Sequence, residues 1–338
     1  MSGRADEVLG LLADWQTRTD EPAPLVVATS GSTGEPKHVL LSRRALRASA
    51  TATATRLGGH GQWLLNLPPT YVAGLQVLFR SVLAGTTPVV QDGTLVDAAA
   101  RMSGERRYVS LVPTQLHRLL DDPASAEALR GFSTVLVGGA AVPGALRERA
   151  ADAGVHVVAT YGMSETCGGC VYDGVPLDGV AVAVGAQGRV RIGGPVLFDG
   201  YDGRPDLTGE VLRDGWFVTQ DLGRLDDDGR LEVLGRVDDV VVSGGVNVPG
   251  PAVAERLRAH GSVTDAAVVG VADEEWGRRV VAFVVGELSL EAARDWVAEV
   301  QPRSWAPREL RVVARIPHLD NGKVDRMTLQ AWASEAGG

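Results

Sequence analysis

LVVATSGSTGEPKHV, residues 25–39, opens on an apolar run and passes directly into a loop of glycines and hydroxyl side chains. A short strand that feeds such a loop can present backbone N–H groups to phosphate. The spacing excludes the commonest loop of this kind. The nucleotide-switch and ATPase pattern G-x-x-x-x-G-K-[ST] needs a hydroxyl after its lysine, whereas Gly31, Gly34 and Lys37 give G-x-x-G-x-x-K followed by His38. Pro36 also lacks the N–H that a cradling backbone would offer there. Ser30, Ser32, Thr33 and the backbone at Gly31 and Gly34 can still donate to phosphate oxygens, with Lys37 adding a point charge. Taken alone, the stretch reads equally as an ordinary strand-to-helix turn, because Gly and Ser are common turn residues.

Downstream, apolar strand-like runs alternate with segments of helical period. WLLNL (63–67), TPVVQ (87–91), YVSLV (108–112), STVLVGG (133–139) and VHVVATYG (155–162) join LVVAT as expected buried strands. ALRASATATATRL (45–57), AGLQVLFRSVLAG (73–85) and PTQLHRLLDDPASAEALRG (113–131) are the expected helices between them. The pattern predicts an α/β architecture with a largely parallel sheet. From about residue 177 it changes to short strands joined by Gly and Asp turns, as in VAVAVGAQGRVRIGG and EVLRDGWFVTQDLGRLDDDGRLEVLGR, which predicts antiparallel sheet or a small barrel. After Gly235 a third character follows, with helices at PAVAERLRAH and LEAARDWVAEV, strands at DAAVVGVA, RRVVAFVVG and ELRVVARI, and a last helix from Arg326. That is a small α+β unit with its own core.

Composition narrows the function. The 338 residues leave room for two domains, and hydrophobic and charged fractions of 45% and 22% are those of a packed globular protein. A net charge of −9 argues against nucleic acid as a partner, since neutralising phosphates takes a basic face. MSGRADEVLGLLADW is acidic where a secretory leader would be basic, and no run approaches the ~18 apolar residues of a membrane span. No membrane association and a cytoplasmic location are the expectations. Cys167 and Cys170 form C-x-x-C, which suits a redox dithiol or, with further ligands, zinc. The neighbourhood supplies no such ligands, and the Gly-Gly spacer leading into VYDGVPL predicts a loop entering a strand, so a structural role is expected.

SGSTGEPK (30–37), YGMSET (161–166), TQDLG (219–223), GRVDDVVVSGGVNV (235–248) and NGKVDR (321–326) occur in the order and spacing of the adenylate-forming superfamily, the acyl-CoA ligases and adenylation domains. The chain resembles that superfamily from Leu25 onward. YGMSETCGGCVYDGVPLDGV and RVRIGGPVLFDGY resemble in particular the o-succinylbenzoate-CoA ligases of menaquinone biosynthesis, in their short actinobacterial form.

The resemblance implies a large N-terminal domain of βα layers with a small antiparallel, barrel-like part over 1–235, a hinge at 236–238, and a small mobile α+β domain over 239–338. Most members carry a longer segment before the hydroxyl-rich loop, so a shortened first subdomain and an incomplete barrel are implied. Thr29 to Gly34 and Lys37 would hold the phosphates of ATP, Gly138, Gly139, Ala140, Tyr161 and Gly162 the adenine, and Asp221 with Arg236 the ribose. Ser164 would donate to phosphate, and Glu165 would hold Mg²⁺, a hard cation that prefers carboxylate oxygen. Lys323 would be the catalytic lysine, Asp238 the hinge, and Gly244 and Gly245 would lie against the pantetheine of coenzyme A. Tyr71, with Gly74, marks the acyl pocket, and Tyr71 stands where similar ligases have histidine. The implied partners are a small carboxylic acid, ATP and coenzyme A. A different acid, a carrier-protein thiol as acceptor, a non-enzymatic nucleotide-binding remnant and a homodimer all stay open at this stage.

Overall fold

The fold is that of a computed structural model, which describes residues 3–29, 37–318 and 324–335. The chain divides into two compact units, one of Met1–Ala183, Arg191–Thr219 and Leu225–Leu231, the other of Val184–Val190, Gln220–Arg224 and Glu232–Gly338. The architecture is α/β, with a large N-terminal part and a small α+β C-terminal part.

The strands of the first unit begin with β1 (Leu25–Ala28), β2 (His38–Leu41), β3 (Gln62–Leu65), β4 (Val89–Val90) and β5 (Arg107–Leu111). Next come β6 (Thr134–Val137), β7 (Val157–Met163), β8 (Gly168–Tyr172) and β9 (Val175–Pro176). Its α-helices are α1 (Ala5–Thr17), α2 (Arg43–Arg56), α3 (Val72–Ala84), α4 (Leu95–Ala100), α5 (Pro113–Asp121), α6 (Pro123–Arg130), α7 (Gly144–Asp152) and α8 (Pro205–Val211). The main sheet runs β4-β3-β5-β6-β7-β8-β9, parallel from β4 to β7 and antiparallel from there on. TVLV at its centre is buried at every position, as a strand covered on both faces must be. Leu64, Val109, Leu111, Val135 and Val137 share one core with Leu116, Leu129, Leu146 and Ala150 of the covering helices.

Two expectations change. LVVA does not join the parallel sheet. β1 pairs antiparallel with β2, which also pairs with the strand Gly200–Tyr201, so the hydroxyl-rich stretch links the strands of a hairpin and is not a strand-to-helix turn. HVLL places Val39 and Leu41 in the interior, which gives the returning chain its own inward face. The single helix expected over 113–131 is two. Pro123 clashes with a helical residue before it, and Asp122 accordingly sits extended at φ −99, ψ 115, where its carboxylate caps α6 by accepting from the Ser125 N–H.

The second unit folds as expected for a small α+β domain. Val263–Asp273 pairs antiparallel with Gly277–Gly286, and Glu309–Val312 adds in parallel. Alternate residues face opposite ways: Ala266, Val268, Val280, Ala282 and Val284 pack with the helices Gly250–Arg258 and Leu290–Ala298, while Ala267, Val269, Val281 and Phe283 pack with Arg326–Glu335. Burial on both faces explains the unbroken apolar runs. Among the described residues, no helix is long and apolar enough to cross a membrane.

Candidate active site

In an open parallel sheet, ligands bind beyond the carboxyl ends of the strands. Here those ends carry most of the candidates of the first unit. Tyr71 and Gly74 follow β3, Gly138 to Ala140 follow β6, and Tyr161 and Gly162 lie in β7, with Ser164 and Glu165 in the single turn Ser164–Thr166 after it.

The turn with Glu165 is clamped from below. Thr166 Oγ1 accepts from Met163 N at 2.9 Å and donates to the Gly168 carbonyl at 2.8 Å. Cys167 then turns through the left-handed region at φ 52, and its carbonyl accepts from Gln76 Nε2 at 2.7 Å and Ser49 Oγ at 3.1 Å. Gln76 and Ser49 are buried polar side chains on α3 and α2. Sequence reasoning missed both; the signal for Gln76 is a lone amide within the apolar LQVLF.

Burial settles the cysteines. Both are free and fully buried, and burial pushes Cys167 well above the ordinary thiol range and Cys170 up to about 12. That is opposite to the lowered pKa of a reactive thiolate. Among the described residues no group of His, Cys, Asp or Glu is placed to cage a metal.

Ser30, Gly31, Ser32, Thr33 and Gly34 lie outside the described residues. Their flanks do not: Thr29 N donates to the Lys37 carbonyl at 2.8 Å, and Lys37 N to Thr29 Oγ1 at 3.3 Å, which closes the hairpin at its base. Lys37 Nζ stands 5.2 Å from the centroid of the Tyr201 ring. The Tyr201 hydroxyl donates to Glu165 Oε1 at 2.8 Å, and Phe198 N donates to the Glu165 carbonyl at 2.9 Å. Lys37 and Glu165 therefore meet on one side chain. Among the described residues, the second oxygen of Glu165 has no partner. One carboxylate with an open oxygen fits a cation such as Mg²⁺, which is bound by one or two carboxylates together with substrate phosphates.

The other candidates of this unit separate. Gly138 and Gly139 follow β6 with Gly139 at φ 80, and a Cβ on Gly138 would lie 3.0 Å from the Thr160 carbonyl oxygen. Ala140 is exposed beside them, while Tyr161, Gly162 and Ser164 are half-buried. Gly74 is buried against Pro68, whose carbonyl carbon would stand 2.7 Å from a Cβ, so its lack of a side chain serves packing. Tyr71 precedes the first residue of α3, makes no capping bond with its side chain, and is 49% exposed.

In the second unit, Arg236 lies 3.9 Å from Asp221 and 4.0 Å from Asp238. The Asp221 side chain is 13% exposed and that of Asp238 63%, so only Asp221 is held in a recess. Gly244 and Gly245, at φ 57 and 77, form the two-residue turn between Val240–Ser243 and Val246–Pro249. Gly244 N donates to the Trp276 carbonyl at 2.9 Å, and a Cβ there would lie 2.6 Å from the Trp276 ring. Lys323 lies outside the described residues; His318 and Val324, on either side of it, form an isolated bridge. Arg326 pairs with Asp239, which no sequence signal had paired.

Two family models match the chain. One described as AMP-binding enzyme matches residues 14–218, and one described as AMP-binding enzyme C-terminal domain matches 252–323. The chain belongs to the AMP-binding enzyme family. This AMP-binding enzyme is 49% identical over 332 residues to a Mycobacterium tuberculosis protein named "Probable 2-succinylbenzoate--CoA ligase", covering 94% of this chain and 86% of that one. It is 33% identical to the 2-succinylbenzoate--CoA ligase of Escherichia coli K12, across 90% of this chain and 68% of that protein. Among solved structures, it resembles the o-succinylbenzoate CoA synthetase of Bacillus subtilis in complex with the acyl-adenylate OSB-AMP, at TM-score 0.75 and 30% identity, covering 90% of this chain and 68% of that one.

Proposed function

We propose that this AMP-binding enzyme is an ATP-dependent acid–thiol ligase that joins 2-succinylbenzoate to coenzyme A in menaquinone biosynthesis, in the cytoplasm. One observation carries the chemistry: Glu165 and the base of the hydroxyl-rich hairpin are held on the same side chain, Tyr201. The choice of acid is supported by the likeness to 2-succinylbenzoate ligases over nearly the whole chain.

In this proposal the acid's carboxylate attacks the α-phosphorus of ATP, pyrophosphate leaves, and an acyl-adenylate results. Ser30, Ser32, Thr33, Ser164 and Lys37 hold the outer phosphates and leave the α-phosphorus open. Glu165 would hold Mg²⁺, whose charge would offset that of those phosphates. Gly138 to Ala140, Tyr161 and Gly162 flank the adenine, and Asp221 accepts from the ribose hydroxyls. Lys323 places fixed positive charge where negative charge builds in the transition state. The chain then turns at Asp238 between its N-terminal and C-terminal domains, Lys323 withdraws, and Gly244 and Gly245 lie along the pantetheine. The thiol of coenzyme A attacks the acyl carbon and AMP leaves.

The test is a panel of aromatic and aliphatic carboxylic acids with ATP and coenzyme A, read by pyrophosphate release and product mass. The expected result is pyrophosphate release with 2-succinylbenzoate and the mass of its coenzyme A thioester. Release with another acid alone would overturn the substrate. Release without consumption of coenzyme A would overturn the acceptor in favour of a carrier-protein thiol. ATP binding without any acid-dependent release would overturn the ligase.

A further inference from the structure

Tyr201 received no role from its sequence, yet the fold ties it to Glu165, to Lys37 and to β2. Its backbone pairs with Val39 of β2, and the neighbouring bonds Asp199 N to Leu40 O (2.9 Å) and Asp202 N to His38 O (2.8 Å) continue that pairing. The segment is thus fixed to the strand that leaves the hydroxyl-rich hairpin. The ring is 5% exposed and packs edge-on against Phe198 at 5.0 Å. Its only polar atom beyond the backbone reaches Glu165.

Building on the assignment of Glu165 as the carboxylate that holds Mg²⁺, we propose that Tyr201 is a positioning residue: its hydroxyl fixes the Glu165 carboxylate for metal-bound ATP. A neutral donor suits this task. A Lys or Arg on Glu165 would cancel the charge that the cation needs, whereas a phenol orients one oxygen and leaves the other for the metal. The segment grips Glu165 twice, through the Phe198 N–H on its carbonyl and Tyr201 on its side chain, so neither turn nor side chain moves apart from β2.

Tyr201→Phe removes one oxygen and keeps the packed ring. The test is calorimetric binding of ATP to the full chain, with Mg²⁺ and with the metal chelated, for the wild type, Tyr201→Phe, Glu165→Gln and the double variant. Tyr201→Phe is expected to weaken MgATP binding about 10- to 100-fold, the range for losing a hydrogen bond to a charged group. Metal-free ATP binding should stay unchanged, and in the Glu165→Gln background the Tyr201→Phe effect should vanish. Equal weakening of both ATP forms would assign Tyr201 a packing role and overturn the proposal. An unchanged Tyr201→Phe beside a Glu165→Gln that loses its preference for MgATP would overturn the proposal alone. A Glu165→Gln chain with wild-type preference for MgATP would overturn the assignment of Glu165 and this proposal with it.

Discussion

Gly162 on β7 meets Gly168 on β8 without room for a side chain: a Cβ on Gly162 would lie 2.7 Å from the Gly168 carbonyl carbon. The contact is backbone on backbone, so nothing flexible can yield. Glu165 sits in the turn between them. Gly162→Ala should therefore cost about 1–3 kcal/mol of stability by overpacking and also weaken MgATP binding, because the strands that aim Glu165 must part. Thermal unfolding and calorimetry check both; a normal melting temperature with normal binding would show that the pair has room.

Asp221→Ala should raise the KM for ATP about 10- to 100-fold, since a recessed carboxylate accepting from hydroxyls contributes about 1.5 to 3 kcal/mol. Steady-state kinetics with varied ATP measures it. Unchanged ATP dependence would remove Asp221 from the ribose site and leave it as the partner of Arg236.

The two half-reactions should come apart in two variants. Lys323→Ala should slow acyl-adenylate formation roughly 10²- to 10³-fold, the scale for one preorganised charge-stabilising group. Given prepared acyl-adenylate and coenzyme A, it should form thioester at a near-normal rate. Asp238→Pro, which fixes φ at the proposed hinge, should show the reverse split. Equal damage to both steps in both variants would sink domain alternation.

Cys167 and Cys170 should resist an aromatic disulfide reagent at pH 8 in the folded chain and react after denaturation. At a pKa of about 12, Cys170 is thiolate in roughly one molecule in ten thousand at that pH. The linkage has a definite sign. Cys170 keeps its proton longer when folded than at its ordinary 9.0, so its contribution to stability is intact below about pH 9 and is lost as pH rises toward about 12. Cys170→Ala should flatten that part of the stability profile, measured by denaturant titration at several pH values.

Arg80 is 6% exposed, and its guanidinium donates to Thr53 Oγ1 at 3.2 Å and lies 5.0 Å from the Trp63 ring centroid. Among the described residues it has no carboxylate partner, and its Nε has no hydrogen bond. Arg80→Met should leave stability unchanged or raise it, because an apolar side chain of similar volume avoids burying a charge. A loss above about 1.5 kcal/mol in denaturant titration would show that the bond to Thr53 and the Trp63 face outweigh that cost.

Local geometry around several candidate residues was legible in short stretches, because turn type and strand ends depend on neighbouring residues. Glu165 follows its strand by a single turn, and Gly244 and Gly245 announce a two-residue hairpin wherever they fall. Tyr201 was not legible, since a tyrosine after glycine carries no sign of what it will touch 36 residues back in the chain. Gln76 and Ser49 were hidden likewise, as their partner is a backbone carbonyl far along the sequence.

Periodicity and turn chemistry determined the class of fold, the parallel run from WLLNL to VHVVATYG, and the α+β character of the last hundred or so residues, because period and turn type are properties of neighbours in the chain. Only the tertiary structure decided that LVVA leaves the main sheet to pair with HVLL, and that Lys37 and Glu165 share Tyr201. The physical reason is that an apolar strand can satisfy its ladder against any partner of matching pattern. Which partner it takes depends on the inward faces competing for the same core, and no local window of sequence contains that competition.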